Sequence, residues 1–222
     1  KDYGHVRAMG FDSVSLWDYR KGEGGYPLDP SENLRVDAWG RVFKGKWYQN
    51  DGVFKNEQIV DQWPHLRLPP KKTLEELARV LPNFERNLSM VPVVSLPGLF
   101  EKTWQSMGLV HFARCLRERR EWIEHVRDFF FQYLLKLVKV LQETGARVFL
   151  VADDCGYKHG EFMPASTWRS LFSEKYRELV RLIHESDQKI ILHSDGYIMN
   201  LMDAFIDIGF DAVQGLEPSA GV

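Results

Sequence analysis

At 222 residues, with 44% hydrophobic and 27% charged residues, the chain has the balance of a globular protein, and a single domain over residues 1–222 is the expectation. A formal net charge of −2 excludes the broad basic field that nucleic acid or an anionic membrane would require, so neither is an expected partner. Two isolated cysteines, Cys115 and Cys155, and no run of about 18 apolar residues exclude a disulfide scaffold and a membrane-spanning helix, which points to a cytoplasmic setting.

Along the chain, one unit recurs: a helix, a glycine, a short apolar strand, then a polar cluster. The first strand covers 13–17 and ends at Asp18. Residues 20–63 break the rhythm with Gly, Pro, Asn and aromatics; 34–37 and 41–44 read there as a hairpin around Ala38-Trp39-Gly40, an insertion after that first strand. Pro69-Pro70 ends it, and Thr73 is the expected N-cap of a helix over 74–80. A second strand covers 92–96. The basic run from Arg114 to Arg120 reads as a solvated helix face, because an apolar-striped helix over 121–144 follows directly. A third strand, 147–151, ends at Asp153-Asp154, and a glycine-flanked loop with His159 leads to a helix opened by Pro164. The fourth strand, 189–192, ends at His193-Ser194-Asp195-Gly196, and after a helix over 198–208 a fifth, 212–216, ends at Glu217. Near-continuous apolar strands alternating with long helices predict a parallel sheet, either a (β/α)8 TIM barrel or a doubly wound sheet.

Several segments together resemble the uroporphyrinogen decarboxylase superfamily. They are Asp37-Ala38-Trp39-Gly40-Arg41, Ala152-Asp153-Asp154-Cys155-Gly156, Gly160-Glu161-Phe162-Met163-Pro164, His193-Ser194-Asp195-Gly196 and Leu216-Glu217-Pro218, in that order. The resemblance implies a (β/α)8 barrel of which strands two to six are represented, so the chain reads as a piece of a longer protein. It also implies one of two chemistries. One branch decarboxylates a tetrapyrrole without a cofactor, using an aspartate at the position of Asp18. The other transfers methyl groups between a small substrate or thiol and a corrinoid carried by a partner protein, through a zinc ion held by a His-x-Cys pair and a further cysteine. Asp195 stands where that cysteine would be.

Read as chemistry, Asp18, Asp153, Asp154 and His193 are the catalytic candidates. His193 and Asp195, two apart on a strand end, project to one face and offer two ligands, with Glu217 as a third, for zinc or a harder divalent metal. One of Asp153 and Asp154 would orient His193 and the other would be structural, because adjacent strand residues face opposite ways. Trp17, Arg20, Trp104 and His159 are the substrate-binding candidates; core or loop packing accounts for the aromatics equally well, and surface exposure is the simpler account of His159. The methyltransferase-like branch is the preferred expectation, since His193 matches it. Decarboxylation is the alternative, and a non-catalytic binding barrel the third.

Overall fold

The structure, a computed structural model, describes residues 7–9, 13–16 and 25–222. It divides into two compact units, one of Lys1–Lys21, Pro69–Gly98 and Leu134–Val222, the other of Gly22–Leu68 and Leu99–Tyr133.

In chain order, β1 (Ser13–Leu16) is followed by β2 (Tyr26–Asp29), β3 (Leu34–Val36), β4 (Arg41–Lys44) and β5 (Trp47–Gly52), then α1 (Glu57–Asp61) and α2 (Lys71–Leu88). After these come β6 (Val91–Pro97), α3 (Leu99–Met107), α4 (Leu109–Glu118) and α5 (Arg120–Gln142). Next are β7 (Val148–Ala152), the short pair β8 (Gly156–Tyr157) and β9 (Gly160–Glu161), α6 (Ala165–His184), β10 (Lys189–His193), α7 (Met202–Ile208) and β11 (Ala212–Gln214).

The first unit is a mixed α/β assembly around a five-stranded sheet in the order β1-β6-β7-β10-β11, every pairing parallel. Sequence order is kept across the sheet, without the reversal that marks a doubly wound fold. No closed barrel forms among the described residues, since β1 and β11 do not pair. The five expected strands are all present. The sheet's buried side chains include Phe149, Val151, Ile190 and Leu192. Helix α6 packs against β10 and buries Trp168, Leu171, Phe172, Tyr176, Leu179 and Ile183, a stripe at three- and four-residue spacing. Trp168 stacks on Tyr176 with ring centroids 5.8 Å apart and meets Phe205 of α7 edge-on at 5.5 Å.

The second unit carries the four-stranded antiparallel sheet β2-β3-β4-β5. The expected hairpin is β3 and β4, paired Leu34 to Lys44 and Val36 to Val42. Asp37 organises its turn: one carboxylate oxygen accepts from the Trp39 and Arg41 N–H groups at 3.0 and 2.9 Å, and the other accepts from Arg41 Nε at 2.7 Å. Phe54 sits at the centre of this unit's core, stacked on Phe130 at 5.6 Å and edge-on to Trp63 at 5.2 Å.

Two expectations are corrected. Thr73 is not an N-cap: α2 begins at Lys71 with Pro70 as its cap, and no side chain caps it. Proline there already holds the φ a helix start needs, so the chain enters the helix one turn early. That helix also continues to Leu88 through Pro82, past the expected end at residue 80. The basic run lies on exposed helix surface, with Arg119 and Arg120 paired to Glu121 and Glu124 at 3.4 Å each. None of the described helices is long and apolar enough to cross a membrane.

At the amino edge of the parallel sheet, the Asp211 carboxylate accepts from the Ile190 N–H at 2.9 Å, His184 Nε2 at 2.8 Å and Lys189 Nζ at 3.0 Å. Burial pushes this carboxyl up, but these hydrogen bonds outweigh it and hold the group below its ordinary value of 3.8. A depressed folded-state value stabilises the fold above the unfolded-state value, and the contribution disappears as pH falls through the folded one. Asp211→Asn should therefore lower the urea midpoint at pH 7, with the gap to wild type shrinking below about pH 4. Phe172→Ala, which empties a fully buried site, should cost about 3–5 kcal/mol of unfolding free energy by denaturant titration at any pH where the protein folds.

Candidate metal centre

Parallel strands leave the sheet on the same side, so Asp153 after β7, His193 as the last residue of β10 and Glu217 in the loop after β11 lie along one edge. Register places His193 opposite Ala152 on one side and Gln214 on the other. Residues level with one another on adjacent parallel strands project to the same face. The Gln214 amide accordingly reaches the imidazole, with Oε1 2.5 Å from His193 Nδ1. An amide oxygen can only accept, so this contact calls for a proton on Nδ1, and in the neutral ring the lone pair is then on Nε2.

Two carboxylates face that lone pair. Asp154 Oδ1 lies 3.7 Å and Asp195 Oδ1 3.6 Å from His193 Nε2. The three potential ligand atoms all lie within 4.8 Å of one another. The separations from Nε2 exceed hydrogen-bond length. They suit donors grouped around an ion, because ligands about 2.0–2.2 Å from a tetrahedral centre stand roughly 3.4 Å apart. A neutral imidazole lone pair aimed at two carboxylates is electrostatically unfavourable by itself, and either a proton or a metal cation at Nε2 reverses the sign of both contacts. The residues fit a divalent metal with an all N and O donor set.

The backbone fixes the three side chains. Asp154 Oδ1 accepts from the Asp195 N–H at 3.0 Å, tying the loop after β7 to the loop after β10. Ser194 is buried, and its Oγ accepts from the Cys155 N–H at 2.8 Å. Gly215 adopts φ +99°, and a Cβ there would lie 3.1 Å from both His193 Nδ1 and Asp195 Oδ1 and 2.8 Å from the Ser194 carbonyl oxygen. Only glycine lets the chain pass this close behind the cluster.

The two adjacent aspartates part ways. Asp153 is buried, its carboxylate accepts from the Tyr176 hydroxyl, and its N–H donates to the His193 carbonyl oxygen at 2.9 Å. Asp154 is the one that joins His193, on the Nε2 side; Gln214, which the sequence reading passed over, holds the other nitrogen. Glu217 is outside the trio, and its carboxylate accepts from the Gly196 N–H at 2.8 Å. His159 is exposed at the turn between β8 and β9, edge-on to Tyr157. Trp104 is buried in α3 of the second unit, tilted against Tyr48 at 6.3 Å. Trp17, Asp18 and Arg20 lie outside the described residues.

No protein-family model matches the sequence, and no curated protein does. Among solved structures, the chain is similar to a methyltransferase from Methanosarcina mazei, with a TM-score of 0.61 at 13% identity over 95% of this chain and 59% of that one. This chain therefore spans about three fifths of that protein. Weaker similarity links it to a class V chitinase from Pseudomonas fluorescens Pf-5, with a TM-score of 0.32 at 13% identity over 88% of this chain and 42% of that one. A xylose isomerase domain protein from Alicyclobacillus acidocaldarius gives a TM-score of 0.30 at 14% identity, covering 69% of this chain and 60% of that one. At such identities the likeness to the methyltransferase is one of fold.

The Gln214 contact makes a specific demand on the ring. Nitrogen-detected NMR of metal-free protein near pH 8 should show His193 protonated at Nδ1, and Gln214→Leu should shift it toward the Nε2–H tautomer. An unchanged tautomer in the variant would show that Gln214 does not set it.

Proposed function

We propose that the chain is part of a (β/α)8 barrel enzyme of the uroporphyrinogen decarboxylase superfamily, on its methyltransferase-like side, and that His193, Asp154 and Asp195 hold a divalent metal. The observation that carries this reading is the His193 ring: Nδ1 is engaged by Gln214 while Nε2 faces two carboxylates. The five parallel strands in unbroken sequence order support an arc of such a barrel, as does the fold likeness to the Methanosarcina mazei methyltransferase. Asp154 takes the third ligand place that the sequence suggested for Glu217.

The substrate is a small molecule, and the methyl group moves between it, or a thiol, and a corrinoid carried by a partner protein. A bound divalent ion supplies Lewis acidity, which keeps an acceptor thiol deprotonated near neutral pH. The chain's own residues do the rest. Gln214 keeps the proton on Nδ1, so Nε2 donates its lone pair without first losing a proton. The Asp195 N–H fixes Asp154, and the partly exposed Asp195, its side chain 55% accessible, leaves the open side toward solvent and substrate. With oxygen in place of the thiolate that the resemblance leads one to expect at residue 195, the site favours harder ions than a thiolate site would.

Full-length protein equilibrated with Zn2+, Mn2+ or Co2+ and then desalted should retain about one ion per chain by elemental analysis. His193→Ala and Asp195→Ala should lose it, and Gln214→Leu should weaken binding about 10- to 100-fold. Failure to bind any divalent ion, with activity surviving His193→Ala but lost in Asp18→Asn, would overturn this reading in favour of cofactor-free decarboxylation.

A further inference from the structure

The second unit holds a cavity whose chemistry is opposite to that of the acidic cluster around His193. Its volume is about 370 Å3, and its walls include Asp51 and Lys55 after β5 and Leu109, Val110, His111 and Arg114 of α4. Three of these carry nitrogen-based, cationic or protonatable groups, and the single carboxylate is already occupied, because Lys55 Nζ donates to Asp51 Oδ1 at 2.7 Å. Lys55 also donates to the Met107 carbonyl oxygen at 2.6 Å, which accounts for two of its three ammonium hydrogens. Among the described residues, Arg114 makes no hydrogen bond or ion pair, and it is exposed. It belongs to the basic run that the sequence marks as solvated helix surface, yet it lines this hollow.

The backbone adds to the same field. The cavity is lined by the first turn of α4, a helix of 10 residues whose N-cap, Gly108, offers no side-chain hydrogen bond. First-turn N–H groups lack intrahelical acceptors, and the helix dipole makes this end positive. Gly108, at φ +81°, lets the end of β5 pass against the helix start: a Cβ there would lie 2.4 Å from Asp51 Oδ1. The rim is apolar, with Val110 74% and Leu109 38% exposed.

We propose that this cavity binds a small amphipathic oxyanion, a carboxylate or phosphate group on an apolar body. Arg114, Lys55 and His111 neutralise the anionic group, and Leu109 and Val110 cover the apolar part. A guanidinium without a hydrogen-bond or ion-pair partner among the described residues is the group best suited to take two oxygens of such a ligand. The volume lies at the small end of the range for small-molecule sites, which sets the ligand's size. This inference is independent of the metal-site reading, since none of these residues belongs to that cluster.

His111 supplies a reporter. Burial first, then the cationic Lys55, Arg114 and Arg119, hold its imidazole below the ordinary value, with Asp51 acting the other way; its Nε2 lies 3.7 Å from Cys115 Sγ. A bound anion offsets that positive field, so the His111 titration midpoint must rise on binding.

The test is NMR titration of the whole protein with inorganic phosphate and, separately, butyrate, at constant ionic strength with chloride as the reference. Saturating shifts are expected at the Leu109, Val110 and His111 amides, together with a rise in the His111 midpoint. Arg114→Gln should weaken binding by about tenfold, while Arg117→Gln, an exposed arginine three residues further on, should leave it unchanged. Tighter binding of butyrate, weakened by Val110→Ser, would identify the ligand group as a carboxylate on an apolar body; tighter phosphate binding would identify a phosphate. Shifts that stay linear far above the millimolar range, or equal affinity in wild type and Arg114→Gln, would overturn the proposal.

Discussion

The parallel ladder is the constraint on which the rest of the first unit depends. Adjacent strands about 4.8 Å apart and in fixed register decide which side chains become neighbours, whatever their separation in sequence. His193 and Gln214 are 21 residues apart in the chain but level in the sheet, and this alone sets one ring nitrogen against an amide oxygen. The same ladder sends the loops after β7 and β10 off one edge, where Ser194 Oγ meets the Cys155 N–H and Asp154 meets the Asp195 N–H. A one-residue slip would turn each of these side chains to the opposite face.

Within that frame, burial sorts two neighbouring and chemically identical residues into different roles. Asp153 is almost completely buried, where an unpaired carboxylate would be very costly, and the Tyr176 hydroxyl meets it. Asp154, one residue later, has a side chain 43% accessible and faces His193. Water screens the crowding of Asp154, Asp195 and the imidazole lone pair, so the cluster survives without being strongly destabilising. Such a cluster is poor at stabilising the fold and well arranged for receiving a cation. That difference favours a ligand-binding role over a purely structural one for Asp154 and Asp195.

The five strands were legible from local signals: each is a short apolar run bounded by polar or turn residues, and three of them, at 13–17, 147–151 and 212–216, follow closely on a glycine. The hairpin at β3 and β4 was legible from Asp37 to Arg41, whose turn the Asp37 carboxylate does organise. Its sheet partners β2 and β5 were not, because Trp47-Tyr48-Gln49-Asn50-Asp51 is mostly exposed and lacks apolar alternation. Helix α3 and the first turn of α4 were missed for a related reason: the two helices are short and separated only by Gly108, so no periodic stretch grows long enough to stand out. At the site, His193 and Asp195 could be paired from their spacing alone. Gln214 could not, since a lone glutamine at a strand end carries no signal until the register is known.

The two candidate sites share one device despite their opposite charge. Each is closed from behind by a glycine with positive φ, Gly215 for the acidic cluster and Gly108 for the basic cavity, where any Cβ would strike the side chains or backbone that form the site. Charge then follows from which backbone ends are available. Strand ends in a parallel sheet offer alternating side chains and loop N–H groups, which can hold carboxylates around an imidazole. A helix start offers unpaired N–H groups and a positive dipole, which suit an anion when Lys55, His111 and Arg114 stand beside it. The sign of each site is therefore a consequence of secondary structure before it is a consequence of composition, and a net charge of −2 over the whole chain conceals both.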